Sequence, residues 1–294
     1  MKRLANVTMH ISRRGPARQC DRWRIWFCDR EIMIIESKKS QRDFCVSICD
    51  TVSLPVSRFR RVPRAPPSLS TRVGATATGV PFTFLDIKTN SIQGMMVDAV
   101  TAAGRAAGFK VEVQQNVFSA LIPSLTTQKI DIISAAMLKT PARQQIVDFS
   151  DTVYSYGEGL VVKADDKGHY TSMDDFKGEV VGAQVGTAFV DALNKKGIFK
   201  EVRTYDSVAD IMRDVALGRI KAGFADQPIV AYQLQQGANT QVRLVPEYQS
   251  AVKGQVCFIV RKGDTATLEQ LNSAIRKMKA DGTLQQILQK WHMS

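Results

Sequence analysis

The chain has 294 residues, of which 44% are hydrophobic and 23% are charged, an ordinary composition for a globular protein. Chains of this length rarely fold around a single hydrophobic core, so two domains or lobes are expected. The sequence contains no apolar run of about eighteen residues, and it therefore predicts no membrane-spanning helix.

The formal net charge of +12 is concentrated near the N-terminus. Residues 1–70 hold 15 of the 40 Lys and Arg residues but 6 of the 28 Asp and Glu residues. The rest of the chain is close to charge balance and has no basic stripe with interleaved aromatic side chains. We therefore expect no nucleic-acid partner for the main part of the chain.

Residues 1–70 show no sustained helix or strand periodicity. Their last part, SRFRRVPRAPPSLS, is rich in Pro, Arg and Ser, which favours a linker or disorder. The apolar stretch of a secretory signal peptide is not recognisable here. We expect an irregular basic segment that is disordered or is a non-native N-terminus, as a wrongly chosen start site would produce. A genuine basic tail is the alternative.

Cysteine usage divides the chain in the same way. Four of the five cysteines lie in residues 20–49, and their spacings fit no zinc-binding pattern. We expect neither a metal site nor a cofactor. Cys257 lies in the apolar run VCFIV and is expected to behave as a buried small hydrophobic residue.

Strands and helices alternate from residue 71 onward. RVGATATGVPFTFLD predicts two strands around a Gly/Thr turn, and SIQGMMVDAVTAAGRAAGF predicts a helix that ends at Gly108. KVEVQQ predicts a strand, FSALIPSLTTQKI a short helix and DIISAAM a buried strand. Thr140 followed by Pro141 is typical of the first turn of another helix.

The second half of the chain continues this alternation. EGLVVKA predicts a strand, and SMDDFKGEVVGAQVGTAFVDALNKKG predicts a short helix, a strand, a Gly-Thr turn and a helix. Residues 201–236 predict a helix, a strand and a helix. GQVCFIVRKGD predicts a strand. TLEQLNSAIRKMKADGTLQQILQKW predicts a pair of closing helices. Such alternation indicates an α/β fold with mainly parallel sheets.

Taken together and in order, several stretches resemble the extracellular solute-binding proteins of amino-acid ABC transporters, the polar amino-acid type. They span about residues 71–292 and are RVGATATGVPFTF, FSALIPSLTTQKIDIISAAMLKTPARQQIVDFSDTVYSYGEGLVVK, MDDFKGEVVGAQVGTAF, ALGRIKAGFADQPIVAYQL and KADGTLQQILQKW. The resemblance implies a two-lobed periplasmic-binding-protein fold of type II with the ligand cleft between the lobes. Lobe 1 would comprise 71–160 plus 255–294, and lobe 2 would comprise 164–250.

The resemblance also implies a function. The protein would capture an amino acid in the cleft, close by a hinge motion and deliver the ligand to the membrane permease of an ABC transporter. We expect a periplasmic monomer, an inference from the resemblance alone.

Arg143 is the first candidate ligand-binding residue. A carboxylate is well matched by the paired N–H groups of a guanidinium. The family's Thr-x-x-Arg motif falls on Thr140–Arg143, which makes Arg143 the expected partner of the ligand carboxylate. A solvated charge in the first helical turn is the alternative. Thr140 is expected to cap the helix rather than to contact the ligand.

The resemblance places two further ligand groups in lobe 2. Thr187, at the start of a helix, matches the residue that binds the same carboxylate, with a simple N-cap as the alternative. Asp226, at the end of a strand, matches the acid that binds the ligand ammonium. The alternative for Asp226 is an N-cap of the helix that includes Pro228.

Departures from the family pattern concern the ligand side chain. Thr76 stands where binders of basic amino acids have an acid, which argues against a cationic ligand. Gly79 replaces an aromatic residue that covers the ligand. Phe82 and Phe118 are the aromatic residues left nearby, and Phe118 either lines the pocket or packs in the core.

Two positions near the Thr-x-x-Arg motif also differ. Leu138 replaces a Ser or Thr that often donates to the carboxylate, so one hydroxyl contact is lost. Ala136 can contribute only backbone atoms. These differences favour a non-standard or larger neutral amino acid.

Two other classes of function compete with transport. Cyclohexadienyl dehydratases share this fold but need an acid directly after the Gly-Thr turn, where this chain has Ala188 and Phe189. No Ser-His-Asp or Cys-His arrangement is visible either, so we expect a protein that is not an enzyme. A ligand-sensing module would normally carry a membrane span or a signalling domain, and neither is recognisable.

Overall fold

The structure is a computed structural model that describes residues 26–28, 31–33 and 70–293. The chain divides into two units, Met1–Val62 and Pro63–Ser294. In the first unit, strands β1 (Trp26–Cys28) and β2 (Glu31–Met33) pair in antiparallel fashion. Most of the predicted irregular segment, together with Cys20, Cys45 and Cys49, lies outside the described residues.

The second unit alternates strands and helices as its sequence predicts. Its strands are β3 (Ser70–Ala75), β4 (Thr78–Gly79), β5 (Thr83–Asp86), β6 (Ser91–Gln93), β7 (Lys110–Gln115), β8 (Ile132–Ile133), β9 (Val147–Lys163), β10 (Val180–Gln184), β11 (Glu201–Tyr205), β12 (Ala222–Asp226), β13 (Val242–Leu244) and β14 (Lys253–Arg261). Its α-helices are α1 (Met95–Ala107), α2 (Leu121–Thr126), α3 (Pro141–Gln144), α4 (Ala188–Lys196), α5 (Val208–Ala216), α6 (Gln227–Gln235), α7 (Thr265–Ala280) and α8 (Thr283–Lys290). Short 3-10 helices cover Phe118–Ala120 and Met173–Phe176.

Helix ends follow from local chemistry. Helix α1 stops at Gly108, whose φ of 85° is the left-handed conformation that glycine adopts without a steric penalty. Helix α3 is a single turn, with Pro141 in its first turn and the Thr140 side chain accepting a hydrogen bond from the Arg143 amide. The cap therefore fixes the backbone that carries the Arg143 side chain.

Strand β9 connects the two halves of the main sheet. The strand order is β11-β10-β12-β9-β14-β8-β3-β7, and β13 also pairs with β9. The first part of β9 pairs with β14, from Val147 opposite Arg261 to Gly157 opposite Lys253. The part that begins at Glu158 pairs with β12. The sheet therefore changes partners along one continuous strand, and the lobe boundaries given above stay a prediction.

The sheet differs from expectation in two ways. It is mixed rather than mainly parallel, because β9 pairs in antiparallel fashion with β12, β13 and β14. Strand β11 and the first part of β9 were not predicted. Their polar residues, as in EVRTY and DFSDTVYSYG, obscure the apolar alternation that marks a strand.

The helices cover the sheet and bury its apolar side chains. Cys257 lies inside this core with no exposed surface, as the sequence predicts, and burial raises the pKa of its thiol to about 11. Among the described residues, no helix is both long and apolar enough to cross a membrane.

Candidate ligand-binding site

The predicted ligand residues gather where the strands of the two halves of the sheet end opposite each other, near the middle of β9. Strands β3 and β8 are parallel to each other, and so are β10 and β12. Thr76 follows β3, Ala136 follows β8, Thr187 follows β10 and Asp226 ends β12. Ligands of open α/β sheets collect beyond such carboxyl ends.

Two adjoining cavities lie there, and they share Phe118, Ala136 and Asp226. The first, which we call the Arg143 cavity, encloses about 170 Å³ of space that is partly open to solvent. The second, the Thr76 cavity, encloses about 250 Å³. The Arg143 cavity is lined by Phe118, Ala136, Leu138, Arg143, Tyr156, Thr187, Ala188, Phe189 and Asp226. The Thr76 cavity is lined by Thr76, Thr78, Gly79, Phe118, Ala136, Gln184, Asp226 and Ile229.

Eight of the nine predicted ligand residues therefore line a cavity. The exception is Phe82, which is fully buried and lines neither one. Its ring packs against the rings of Tyr154 and Tyr156, with centroids 5.7 and 5.5 Å away. Phe82 thus packs in the core against Tyr156, which lines the Arg143 cavity.

Arg143 bridges two backbone segments beside the Arg143 cavity. Its Nη1 donates to the Leu138 carbonyl oxygen at 2.6 Å, and its Nη2 donates to the Gly186 carbonyl oxygen at 2.8 Å. The guanidinium lies 6.0 Å from the centre of the Phe118 ring. Burial lowers the pKa of Arg143, yet a guanidinium stays protonated in proteins. A fixed positive charge with donors left over therefore faces the cavity.

Thr187 occupies the N-cap position of helix α4 without capping it. Its hydroxyl donates to the Gln184 carbonyl oxygen at 2.6 Å, and no side-chain bond reaches the first helical turn. Ala188 and Phe189 of that turn line the Arg143 cavity. The positive end of a nine-residue helix thus forms part of its wall, which favours an anionic ligand group.

Asp226 is the buried negative group of the site. Its side chain is 4% exposed and makes no capping bond to helix α6, so the alternative reading of an N-cap has no support in the geometry. Burial raises the pKa of Asp226 to about 6, although its hydrogen bond to Tyr156 and the charge of Arg143 act in the opposite direction. The carboxyl group therefore titrates close to neutral pH.

Tyr156 joins Asp226 to the opposite wall. Its hydroxyl contacts the Asp226 carboxylate and also hydrogen-bonds the Ala136 carbonyl oxygen at 2.7 Å. The residue is buried, and burial together with the Asp226 charge raises its pKa well above the ordinary value. Tyr156 was not predicted as a site residue.

Glu158 lies directly opposite Asp226 in the β9–β12 pairing, but its side chain binds a different segment of the chain. Its carboxylate accepts from the amides of Ala251 and Val252 at 2.6 and 2.7 Å and from the Tyr248 hydroxyl at 2.9 Å. Glu158 therefore holds the chain that leads into β14, and it lines neither cavity.

The remaining predicted residues shape the Thr76 cavity and its edge. The Thr76 hydroxyl is buried and hydrogen-bonded to the Thr83 hydroxyl at 2.7 Å. A side chain added at Gly79 would begin 3.3 Å from the Thr76 hydroxyl and 3.7 Å from Ile229, so glycine keeps this space open. Leu138 forms a backbone bridge with Val256 and is 3% exposed.

Sequence reasoning missed six lining residues: Thr78, Tyr156, Gln184, Ala188, Phe189 and Ile229. Four of them, Thr78, Gln184, Ala188 and Phe189, lie within two residues of a predicted position or of the Gly-Thr turn, and that proximity was the available signal. Tyr156 gave a weaker signal. Tyr154 and Tyr156 alternate along β9, but alternation does not tell which neighbouring strand each side chain meets.

Known proteins are similar to this chain from residue 71 onward. The profile of the family described as bacterial extracellular solute-binding proteins, family 3, matches residues 71–294. The ABC transporter arginine-binding protein 1 of Escherichia coli (strain K12) is 30% identical over 222 residues, 74% of this chain and 88% of that protein.

Two solved structures have a similar fold, and each covers 76% of this chain. An ancestral arginine-binding protein bound to glutamine is 32% identical, with a TM-score of 0.69 over 98% of its own length. The ancestral amino acid-binding protein AncCDT-1, described as a precursor of cyclohexadienyl dehydratase, is 31% identical, with a TM-score of 0.67 over 95% of its length. The predicted α/β, two-lobed fold class is thereby confirmed, and the chain belongs to the bacterial extracellular solute-binding proteins of family 3.

Proposed function

We propose that this protein captures a neutral amino acid and delivers it to the permease of an ABC transporter. One observation carries the proposal: Arg143 and Asp226, of opposite charge, face the same cavity. An amino acid has both complementary charges on adjacent atoms. It can therefore neutralise both groups at once, whereas a sugar neutralises neither.

Arg143 would hold the ligand carboxylate through donors that its two carbonyl contacts leave free. The N-terminal turn of α4, beginning at Thr187, would support the same charge. Asp226 would pair with the ammonium. Because Arg143 and Thr187 belong to different predicted lobes, a ligand held by both favours the closed form, and binding is coupled to closure.

The lining of the Thr76 cavity indicates a neutral ligand side chain. Of the residues that the structure places there, Asp226 alone is charged, and the ammonium would neutralise it. Thr76, Thr78 and Gln184 offer uncharged polar atoms, while Phe118 and Ile229 offer apolar surface. A charged side chain would lose its hydration without finding a partner, which is costly.

Binding rather than catalysis is the proposed role, with the protein acting as a periplasmic monomer. Ala188 and Phe189, which follow the Gly-Thr turn, line the Arg143 cavity and bring no acid to it. This supports a binding protein over a dehydratase of the same fold. The family description supports a location outside the cytoplasmic membrane.

A melting scan of the full chain against the twenty L-amino acids tests this proposal, with glucose and prephenate as controls. A ligand at a hundredfold excess over its Kd stabilises the folded state by about 2.7 kcal/mol. We expect an upward shift of the melting temperature with one or a few neutral amino acids. Mass spectrometry of the denatured protein identifies any ligand retained during purification. A cooperative melt that no amino acid shifts, in protein free of retained ligand, or turnover of prephenate, would contradict the proposal.

A further inference from the structure

The amine end of the site contains a hydroxyl group where a ligand amine is expected to bind. Tyr156 contacts both the Asp226 carboxylate and the Ala136 carbonyl oxygen. Both partners are hydrogen-bond acceptors, and both line the two cavities. An ammonium group placed near Asp226 would seek the same two acceptors.

We propose that the Tyr156 hydroxyl stands in for the ligand ammonium at Asp226 and Ala136, and that Tyr156 is therefore a specificity-determining residue. It lowers the preference of the site for amine-bearing carboxylates over amine-free carboxylates such as 2-hydroxy acids. This inference rests on the proposed function, because it assumes that Arg143 holds a ligand carboxylate.

Hydrogen counting supports this assignment. A tyrosine hydroxyl has one hydrogen, and a backbone carbonyl oxygen has none. If Tyr156 donates to Ala136, its contact with Asp226 requires a proton on the carboxyl group. That carboxyl is buried, which favours the protonated form. The chain of Asp226, Tyr156 and Ala136 is then satisfied and neutral without any ligand amine.

The positive charge of Arg143 opposes this neutral state, but burial of Asp226 outweighs it. Arg143 is the cationic side chain in the Arg143 cavity, and its two terminal nitrogens already donate to Leu138 and Gly186. Glu158, opposite Asp226, is engaged by the amides of Ala251 and Val252. An arriving ammonium must therefore displace or share the Tyr156 contacts, and below about pH 6 it must also remove the proton from Asp226.

Replacing Tyr156 by phenylalanine removes the competing hydroxyl and keeps the ring that packs on Phe82. Both acceptors then become available to an ammonium, whose bonds to a carboxylate are charge-assisted. We expect Tyr156→Phe to raise the affinity for an L-amino acid, relative to the 2-hydroxy acid with the same side chain, by about tenfold. The 2-hydroxy acid carries no positive charge and gains less.

Tyr154→Phe is the matched control. Tyr154 lies on the same strand, and its ring centroid is 6.5 Å from that of Tyr156, but it lines neither cavity. The same atom is removed there, and the affinity ratio is expected to stay at the wild-type value.

The experiment is titration calorimetry of the full chain in its wild-type, Tyr156→Phe and Tyr154→Phe forms. Each is titrated with the amino acid that shifts its melting curve and with the corresponding 2-hydroxy acid. A ratio raised in Tyr156→Phe alone supports the assignment, and so does amino-acid binding that appears only in that variant. An unchanged or lowered ratio overturns it. If no folded form binds any amino acid, the proposed function itself has failed.

A measurement on the wild-type protein covers the case in which Tyr156→Phe does not fold. Binding enthalpies at pH 5 in two buffers of different ionisation enthalpy report the protons released. We expect close to one proton released when an amino acid binds and close to none for the 2-hydroxy acid. Equal proton exchange for the two ligands would overturn the assignment.

Discussion

The two charged groups of the site are held in different ways. Arg143 is bound by two backbone carbonyl oxygens, which are neutral, and its guanidinium keeps its charge at any physiological pH. Asp226 is almost fully buried, is bound by a tyrosine hydroxyl and has a pKa raised to about 6. The end proposed to bind the ligand carboxylate is thus permanently charged, whereas the end proposed to bind the ligand amine can become neutral.

This difference separates affinity from selectivity. A permanent charge supplies attraction to any carboxylate, whatever else the ligand contains. A titratable group beside a competing hydroxyl decides how much an ammonium adds to that attraction. Substitutions at the two ends should therefore have distinct signatures, and the largest is expected at Arg143.

Arg143→Ala removes the guanidinium and, with it, the charge-assisted hydrogen bonds that we propose it makes to the ligand carboxylate. Such bonds are worth roughly 2–5 kcal/mol when buried, so the Kd should rise by about thirtyfold to several thousandfold. Titration calorimetry measures the change. Arg276→Ala, at an exposed arginine paired with Glu269, is the control and should bind normally. An unchanged Kd in Arg143→Ala would show that the carboxylate binds elsewhere.

Asp226→Asn is expected to weaken amino-acid binding while stabilising the ligand-free protein. A carboxyl whose pKa rises from 3.8 to about 6 on folding costs the folded state about 3 kcal/mol once it is ionised. Asparagine mimics the protonated form, because its amide can satisfy the Tyr156 hydroxyl without carrying a charge.

The pH dependence of this gain has a definite sign. Below about pH 3 the Asp226 carboxyl is protonated in both the folded and unfolded states, so the variant gains nothing. The gain grows as the pH rises and is complete above about pH 6. Urea unfolding of both proteins from pH 4 to pH 8 measures it. A gain that is independent of pH, or a loss at pH 8, would contradict the electrostatic explanation.

The charged residues at the two ends of the site could both be predicted from short sequence motifs. Arg143 and Thr140 lie within four consecutive residues that match the Thr-x-x-Arg motif of the family, so the resemblance to one short motif predicted both the cap and the role of Arg143. Asp226 was assigned from the same resemblance, because it ends a predicted strand where the family has its amine-binding acid. Local patterns of this kind predict residues whose placement depends on their immediate neighbours.

Tyr156 and Phe82 depend on long-range packing instead. Tyr156 meets Ala136 and Asp226, which lie 20 and 70 residues away in the chain. Phe82 was expected in the pocket but turns into the core, where it packs on Tyr156. Neither outcome follows from composition or periodicity, because each depends on which strands become neighbours in the mixed sheet.

Gly186→Ala should have the smallest effect and tests the contact between the two sides of the cleft. Gly186 has a φ of 77°, and a Cβ there would lie 3.1 Å from the Ser119 Cα atom. Gly263 has a φ of 82° with open space around it, so Gly263→Ala introduces similar backbone strain, about 1 kcal/mol, without the contact. Both variants should melt at a lower temperature. Only Gly186→Ala should also bind its ligand several-fold more weakly. Its added methyl group would push the Gly-Thr turn away from Ser119. The Gly186 carbonyl oxygen, which accepts a hydrogen bond from Arg143, would move with that turn. Equal Kd values for the two variants would show that this approach does not limit binding.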